Sequence, residues 1–181
     1  MIRTFISIDL PDTFHKKIIE VQSKFNDFNI KLVDPKSMHI TMKFFGDVEE
    51  NKIQTIIDSL NSIKHEPFDS LITKIGVFPK PTYVKVIWIG AKGDYKELCK
   101  NIDTTLNHNS NLKNRFYKFN AHATIARVKN ISKNKKESFL TLLDELKDVE
   151  FGIMKVDKLK LKKSTLTPTG PIYETLHEIN L

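Results

Sequence analysis

The sequence contains a single cysteine, Cys99, among 181 residues. One thiol cannot form an intramolecular disulfide, and it cannot build the thiolate cage of a structural zinc site. Cys99 lies in the stretch YKELCKNIDTTL, where it shares a helical face with apolar neighbours. This periodicity predicts a core residue rather than a nucleophile. The sequence therefore excludes a disulfide-stabilised fold and a cysteine-based metal centre.

Long apolar runs are also missing. No stretch approaches the ~18 apolar residues that a membrane-spanning helix needs. The N-terminal stretch MIRTFISIDLP lacks the apolar segment of a secretory signal peptide. With 40% hydrophobic and 28% charged residues, the composition is that of an ordinary globular protein. We therefore expect one cytoplasmic domain over residues 1–181 with no membrane partner.

Positive charge exceeds negative charge in the sequence. The 29 Lys and Arg residues against 22 Asp and Glu give a net charge of +7 at pH 7. A basic surface favours polyanionic partners such as nucleic acid or phosphorylated substrates. Lysine-rich compositions also arise from genome bias or thermal adaptation, so the charge alone leaves both interpretations open.

Strand patterns and helix patterns alternate along the chain. Alternating apolar residues predict strands at TFISIDL, MHITMKFFG, SLITKIGVF, TYVKVIWIG, NAHATIARV, FGIMKVDKLKLKKSTL and PIYETLHEINL. Apolar stripes predict helices at PDTFHKKIIEVQSKF, ENKIQTIIDSLNSI, YKELCKNIDTTL and KKESFLTLLDEL. Because several strands follow one another directly, the order favours an α+β fold with largely antiparallel sheets over a doubly wound parallel sheet.

Two of the predicted strands carry the same polar pair. His39 and Thr41 lie two residues apart in MHITMKFFG, and His122 and Thr124 do so in FNAHATIARV. Side chains two apart in a strand point to the same face, so each strand presents one imidazole and one hydroxyl. An amphipathic helix follows each motif after roughly a dozen residues. The repetition indicates two similar halves, and a cleft shared between them is an inference from that similarity.

Such pairs suit chemistry at a phosphorus atom. Imidazole titrates near neutral pH, so two histidines around one pocket can act as acid and base together. One would deprotonate an attacking water and the other would protonate the leaving oxygen, while threonine hydroxyls hold the non-bridging oxygens. The remaining histidines, which show no spacing typical of a zinc site, are His15, His65, His108 and His177.

The segments HITM and HATI resemble the paired His-x-Thr-x motifs of the 2H phosphoesterase superfamily. The closer resemblance is to the RNA 2′,3′-cyclic phosphodiesterases, also called 2′,5′ RNA ligases or LigT-like proteins. It extends over nearly the whole chain through RTFISIDLP, GVFP, VIWIG, AHATIARVK and STLTPTGPIYETL. The resemblance implies a bilobal α+β fold, in which two pseudo-symmetric halves line a central cleft with antiparallel sheets and carry their helices outside.

The resemblance also implies an activity, the metal-independent hydrolysis of an RNA 2′,3′-cyclic phosphate to a 2′-phosphomonoester. In that reaction His39 would be the acid that protonates O3′, and His122 the base that activates water. The motifs themselves are too alike to make this split. No cofactor or metal is implied. The expected partner is RNA with 2′,3′-cyclic phosphate ends, tRNA fragments included, and the expected form is a monomer.

Two other functions stay open at this point. One is an RNA-binding module that retains the pocket but has little turnover. The other is the reverse reaction, which joins RNA ends through a 2′,5′ linkage and would use the same residues.

Two cationic residues near the motifs are further candidates for the site. Arg127 resembles the phosphate-binding arginine that follows the second motif in this family, and a guanidinium suits phosphate. Simple alternation gives it the opposite face from His122, so a bulge or strand twist would have to redirect it. Lys43 has the parity of His39 and is a candidate contact for phosphate or RNA at the cleft edge, against a solvated lysine.

Two other features have competing structural explanations. Phe45 is a candidate for stacking on a base, against a role in the core. In KLKLKK, Lys158, Lys160 and Lys162 are two residues apart and would point to one face of a strand. They form either an RNA-facing stripe or a solvated strand edge.

Overall fold

The computed structural model describes residues 1–109, 119–168 and 170–181, with the side chains of 107–109 outside the description. The strands in these ranges are β1 (Ile2–Asp9), β2 (Asn29–Leu32), β3 (His39–Val48), β4 (Phe68–Lys80), β5 (Tyr83–Lys92), β6 (His122–Asn130), β7 (Glu150–Val156), β8 (Lys158–Thr167) and β9 (Gly170–Asn180). The α-helices are α1 (His15–Ser23), α2 (Glu50–Asn61), α3 (Tyr95–Asn109) and α4 (Lys136–Leu146).

The strands join in the order β7-β4-β5-β6-β3-β1-β8-β9, and β2 pairs with β6 beside that path. All of these pairs are antiparallel. The α+β class with antiparallel sheets, which the order of elements predicts, is confirmed. No helix in the described ranges is long and apolar enough to cross a membrane.

The sheet divides between β3 and β6. These two strands share only the partners Ile40 and Ala123. Beyond that point β2 takes the place of β3 along the later half of β6, while β3 continues beside β1. The two motif strands are therefore neighbours at the place where two parts of the sheet separate, which is where a cleft can form.

The structure adds two features that the hydrophobic pattern does not predict. The segment FGIMKVDKLKLKKSTL forms two strands, β7 and β8, of which β7 pairs with β4 and β8 lies between β1 and β9. Only one residue, Asp157, separates the two strands. The short strand β2 escapes prediction because three of its four residues are exposed, which leaves no apolar alternation to detect.

The core underlies the motif strands as the alternation predicts. The residues between the motif side chains are nearly inaccessible: Ile40 and Met42 are 1% and 4% exposed, and Ala123 and Ile125 are 1% and 0% exposed. Burial of a side chain as large as Ile or Met stabilises a fold by about 1.5–3 kcal/mol. The motif strands are thus held firmly from one side and present their histidines and threonines on the other.

Candidate active site

Four polar side chains come together where the motif strands meet. The pairing of Ile40 with Ala123 is antiparallel. One residue to either side of this pair, each motif histidine lies opposite the threonine of the other motif. All four have the parity opposite to the buried pair, so they share one face of the sheet. Two imidazoles and two hydroxyls therefore form one compact array.

Each imidazole is oriented by a hydrogen bond to the backbone two residues before it. The Nδ1 of His39 lies 2.8 Å from the carbonyl oxygen of Ser37, and the Nδ1 of His122 lies 2.6 Å from that of Asn120. A carbonyl oxygen can only accept, so each Nδ1 carries a proton and donates it. This fixes the tautomer and leaves Nε2 of each ring to exchange protons with a bound molecule.

Aromatic rings pack against each imidazole, with centroids 4.9 to 5.9 Å from the histidine ring. These rings are Phe5 and Tyr173 beside His39, and Phe78 and Trp88 beside His122. A side chain confined by packing and by a hydrogen bond loses little freedom when it acts, which favours precise proton transfer.

The electrostatic surroundings of His39 favour its neutral form. Burial lowers the pKa of His39, and the positive charge of Lys162 lowers it further. The hydrogen bond to Ser37 and the carboxylate of Asp9 act in the opposite direction without reversing the shift. The charge of His122 also contributes to the lowering, as expected for two imidazoles in one site. His39 is therefore mostly uncharged at neutral pH in the free protein.

A β-bulge in β6 changes the face to which Arg127 points. Opposite β5, the register slips by one residue between Thr124 and Ala126, which leaves Ile125 as an extra residue. The extra residue shifts the alternation, so Ile125 and Ala126 are both buried and Arg127 is exposed on the face of the motif histidine. Burial raises the pKa of Tyr173, and the nearby charge of Arg127 opposes that shift. Arg127 therefore lies on the same face as His122, although simple alternation placed it on the opposite face.

A bulge of the same kind occurs in β3, just before Lys43. Opposite β1, the register slips between Thr41 and Lys43, which leaves Met42 as the extra residue. Lys43 therefore turns away from the motif face, and its ammonium forms an ion pair with Asp103 of α3. The alternation that placed Lys43 on the face of His39 is interrupted just before it, and a substrate contact for Lys43 stays a prediction.

Phe44 takes the motif face instead. Its side chain is 63% exposed, and its ring lies 5.5 Å from that of Phe5, which also packs on His39. It occupies the position in β3 that Arg127 occupies in β6, five residues after the motif histidine. Phe45, the other candidate for stacking on a base, packs against the core cluster instead. Only knowledge of the bulge would have identified Phe44.

A carboxylate held by two lysines lies beside His39. Asp9 is the direct partner of His39 across β1 and β3. The Nζ of Lys160 lies 3.1 Å from one oxygen of Asp9, and Lys162 forms an ion pair with the other. Lys162 is only 7% exposed, and β8 is flanked on both sides. At Lys162 the KLKLKK segment is therefore neither a solvated strand edge nor an exposed stripe.

The collected groups transfer protons and bind anions. Among the residues the structure describes, no three His, Cys, Asp or Glu side chains are grouped as metal ligands would be. Two imidazoles with available Nε2 atoms, two hydroxyls and a guanidinium can together hold a phosphate and move protons to and from its oxygens.

The indole of Trp88, which supports His122, depends on a glycine. A β-carbon at Gly76 of β4 would lie 2.1 Å from Cζ2 of Trp88, far inside contact distance. We expect Gly76→Ala to displace the indole and to lower the free energy of unfolding by about 1–3 kcal/mol, as overpacking does in cores. The His122 ring resonances should move with it.

Chemical denaturation and NMR spectra of the histidine ring protons check this expectation. The matched variant is Gly76→Ala combined with Trp88→Phe, in which the smaller ring leaves room for the methyl group. Recovery of stability in the double variant relative to Gly76→Ala would identify the clash as the cause. Equal losses in both variants would contradict it.

The fold and the array define a phosphoesterase with two histidine motifs on related strands. The family model described as LigT like Phosphoesterase matches residues 8–88 and 96–173. The chain belongs to this family, and the resemblance seen in the sequence is confirmed.

Curated relatives align over nearly their full length. The RNA 2′,3′-cyclic phosphodiesterase of Methanocaldococcus jannaschii is 41% identical over 177 residues, which cover 97% of this chain and 99% of that protein. The protein of the same name from Methanothermobacter thermautotrophicus is 33% identical over 186 aligned positions, covering 99% of each chain.

Solved structures share the fold at lower identity. A crystal structure of a Thermus thermophilus protein has a TM-score of 0.84 at 23% identity and covers 99% of this chain and 97% of its own. E. coli LigT complexed with 3′-AMP has a TM-score of 0.79 at 19% identity, with 99% and 98% covered. The LigT-like α+β fold implied by the resemblance is thereby confirmed.

Proposed function

We propose that the protein hydrolyses RNA 2′,3′-cyclic phosphate ends to 2′-phosphomonoesters, with His39 and His122 as an acid–base pair. The observation that carries this proposal is the pairing of Ile40 with Ala123, because it brings two imidazoles with available Nε2 atoms to one face. The names of the curated relatives support the substrate class.

The reaction requires one proton to be removed and one to be supplied. Water attacks phosphorus in line with the O3′ bond as Nε2 of His122 takes the proton of that water. The bond from phosphorus to O3′ breaks, and Nε2 of His39 gives its proton to O3′. The bond to O2′ remains, which yields the 2′-phosphomonoester. Exchange of both imidazoles with solvent then restores the starting protonation states.

The non-bridging oxygens need donors while negative charge builds up on them. Thr41 and Thr124 lie beside the histidines and carry hydroxyl donors. Arg127, redirected by its bulge, adds a charged fork whose geometry suits two phosphate oxygens. Hydrogen bonds from these groups that shorten as the charge develops stabilise the transition state more than the bound ground state.

The division of roles between the histidines follows the family resemblance. The lowered pKa of His39 makes its imidazolium a stronger acid than an ordinary one, but it also leaves the ring mostly uncharged in the free protein. An anionic phosphate bound against His39 favours the imidazolium form, so substrate binding itself supplies the protonated acid.

The rest of the substrate has a natural contact in Phe44. Its exposed ring on the motif face can stack on the terminal base, and base–aromatic stacking is tolerant of sequence. We extend the proposal to a monomer that acts in the cytoplasm, with tRNA fragments among its substrates. The net charge of +7 supports an RNA substrate through electrostatic attraction.

The test is incubation with a defined RNA that ends in a 2′,3′-cyclic phosphate, in excess EDTA, with identification of the product isomer. We expect the 2′-phosphomonoester at a rate that EDTA does not change. The same RNA with a 3′-phosphate is the control, and it should stay unchanged.

Other outcomes of this assay are equally informative. A 3′-phosphate product would contradict O3′ as the leaving group, and strict dependence on added metal would contradict the metal-independent route. Tight, salt-dependent binding without cleavage would favour the RNA-binding module. Joining of ends without hydrolysis would favour the 2′,5′ ligation direction.

A further inference from the structure

We propose that Lys162, held in place by its ion pair with Asp9, is a positioning residue that keeps His39 uncharged until an anionic phosphate occupies the cleft. This inference rests on the proposed function, because it takes a phosphate as the ligand. It concerns two residues outside the motifs, which act on the reaction through His39 rather than by contact with the substrate.

The sheet brings the pair to the face of His39. Asp9 is the partner of His39 across β1 and β3, and Lys162 is the partner of Phe5 across β1 and β8. Phe5 faces His39, with ring centroids 4.9 Å apart. Because direct partners in neighbouring strands share a face, the carboxylate and the ammonium both lie on the side of the imidazole.

The burial of Lys162 separates it from an ordinary substrate-binding lysine. Its side chain is 9% exposed, and its ammonium forms an ion pair with Asp9. Its ammonium is therefore a fixed charge inside the wall of the site rather than one that extends into the cleft. Lys160, at 28% side-chain exposure, shares the same carboxylate but also lies 3.6 Å from Glu178.

The local charge does not cancel. Three ammoniums, from Lys158, Lys160 and Lys162, are linked to two carboxylates, from Asp9 and Glu178, so the linked group carries a net positive charge. Burial acts to raise the pKa of Asp9, but its contacts with Lys162 and Lys160 bring it below the usual value. Asp9 therefore stays ionised, and the pair persists across the working pH range.

Several elements contribute groups that face His39. They are Asp9 from β1, Lys160 and Lys162 from β8, His122 from β6, the phenol of Tyr173 from β9 and the carbonyl of Ser37. Of the charged groups, Lys162 lowers the pKa of His39 and Asp9 raises it. A bound phosphate adds negative charge on the open side and so opposes Lys162.

This arrangement has a chemical advantage. Two imidazolium ions facing one another in an empty cleft would repel each other, and the burial of His39 together with the cation fixed behind it disfavours the first of them. When the phosphate binds, its charge offsets that of Lys162, and His39 takes up the proton that O3′ will receive. The proton is thus loaded together with the substrate.

The test is an NMR titration of the imidazole ring protons of His39 and His122, with and without inorganic phosphate. In Lys162→Met, which keeps a long apolar side chain without the charge, we expect the titration midpoint of His39 to rise by about half to one pH unit. The phosphate-induced rise should be smaller than in the parent, and His122 should move less than His39.

Lys163→Met is the matched control, since Lys163 is in the same strand but its ammonium pairs with Glu174 rather than with Asp9 or Glu178. It should leave both midpoints unchanged. Asp9→Asn provides an opposite test that does not depend on Lys162→Met folding, and it should lower the midpoint of His39. An unchanged His39 midpoint in a folded Lys162→Met or Asp9→Asn variant, or equal shifts of both histidines, would overturn the inference.

The titration needs no turnover, so it separates the two proposals. Hydrolysis of the cyclic phosphate with an unmoved His39 midpoint would remove only the role of the pair. A moved midpoint in a protein that does not hydrolyse the cyclic phosphate would remove only the proposed function. In the active protein, Lys162→Met should also shift the pH dependence of kcat/KM, a change that a merely structural role would not produce.

Discussion

Replacement of either motif histidine by alanine is expected to lower kcat/KM for an RNA 2′,3′-cyclic phosphate by about 10²–10⁴-fold, the usual contribution of one general acid or base. Because both imidazoles serve one proton-transfer sequence, the double variant should lose far less than the product of the two single losses. Initial rates on a defined oligonucleotide, together with circular dichroism to verify folding, measure this effect.

His177→Ala is the control for this experiment. His177 lies in β9, where its Nε2 contacts the side-chain oxygen of Asn61 at 2.8 Å, and it belongs to neither motif. Its loss should leave the rate unchanged. Full activity in His39→Ala or His122→Ala, in a folded protein, would remove the paired-histidine mechanism.

The pH dependence of the single variants tells the acid from the base. The intact protein should show a bell-shaped profile, and a flat profile from about pH 5 to 8 would contradict the pair. The bell alone cannot assign the roles, because coupled groups titrate as a pair. In His39→Ala, the remaining base should give a residual rate that increases with pH and then levels off. In His122→Ala, the remaining acid should give one that falls.

Arg127→Ala is expected to produce the second large effect, a loss of about 10- to 100-fold in kcat/KM. A hydrogen bond to a charged group contributes about 1.5–3 kcal/mol, and the guanidinium would act on the charge that builds up on phosphate. Arg127→Lys should recover part of the loss, since it keeps the charge but not the fork. Steady-state kinetics on the cyclic phosphate substrate, with separate kcat and KM, measure both variants.

Phe44→Ala is the matched comparison, because Phe44 occupies the equivalent position in the other motif strand. Removal of a ring that stacks on a base should raise KM and leave kcat nearly unchanged, as loss of uniform binding does. Lys129→Ala, two residues beyond Arg127 and also exposed, controls for the loss of any cation from this strand. If Arg127→Ala behaved like Lys129→Ala, a site role for the arginine would be contradicted.

Periodicity explains what the sequence could predict. The motif strands and the helices extend over enough residues for the apolar alternation to stand out, and the runs of successive strands indicate antiparallel pairing. The bulges leave no such mark, because their extra residues, Met42 and Ile125, are apolar and fit the alternation that they interrupt. Simple alternation therefore gave Lys43 and Arg127 the wrong faces, because both follow a bulge.

The environment of His39 was out of reach for a different reason. The ion pair of Asp9 with Lys162 joins residues 153 positions apart, and it depends on β8 lying beside β1. No local pattern records that neighbour relation. Two motifs that look equivalent in the sequence consequently have different electrostatic surroundings in the fold. The site roles of His39, Thr41, His122 and Thr124 remain predictions that the experiments above test.

The packing of Trp88 on His122 gives the protein an internal optical probe. The chain has one tryptophan, and its ring lies 5.9 Å from that of His122. Indole emission is quenched far more strongly by an imidazolium than by a neutral imidazole. Ultraviolet fluorescence of the unlabelled protein is therefore expected to respond to the charge of His122, the histidine that the tryptophan contacts. A stopped-flow emission trace can then follow protonation in the site in real time.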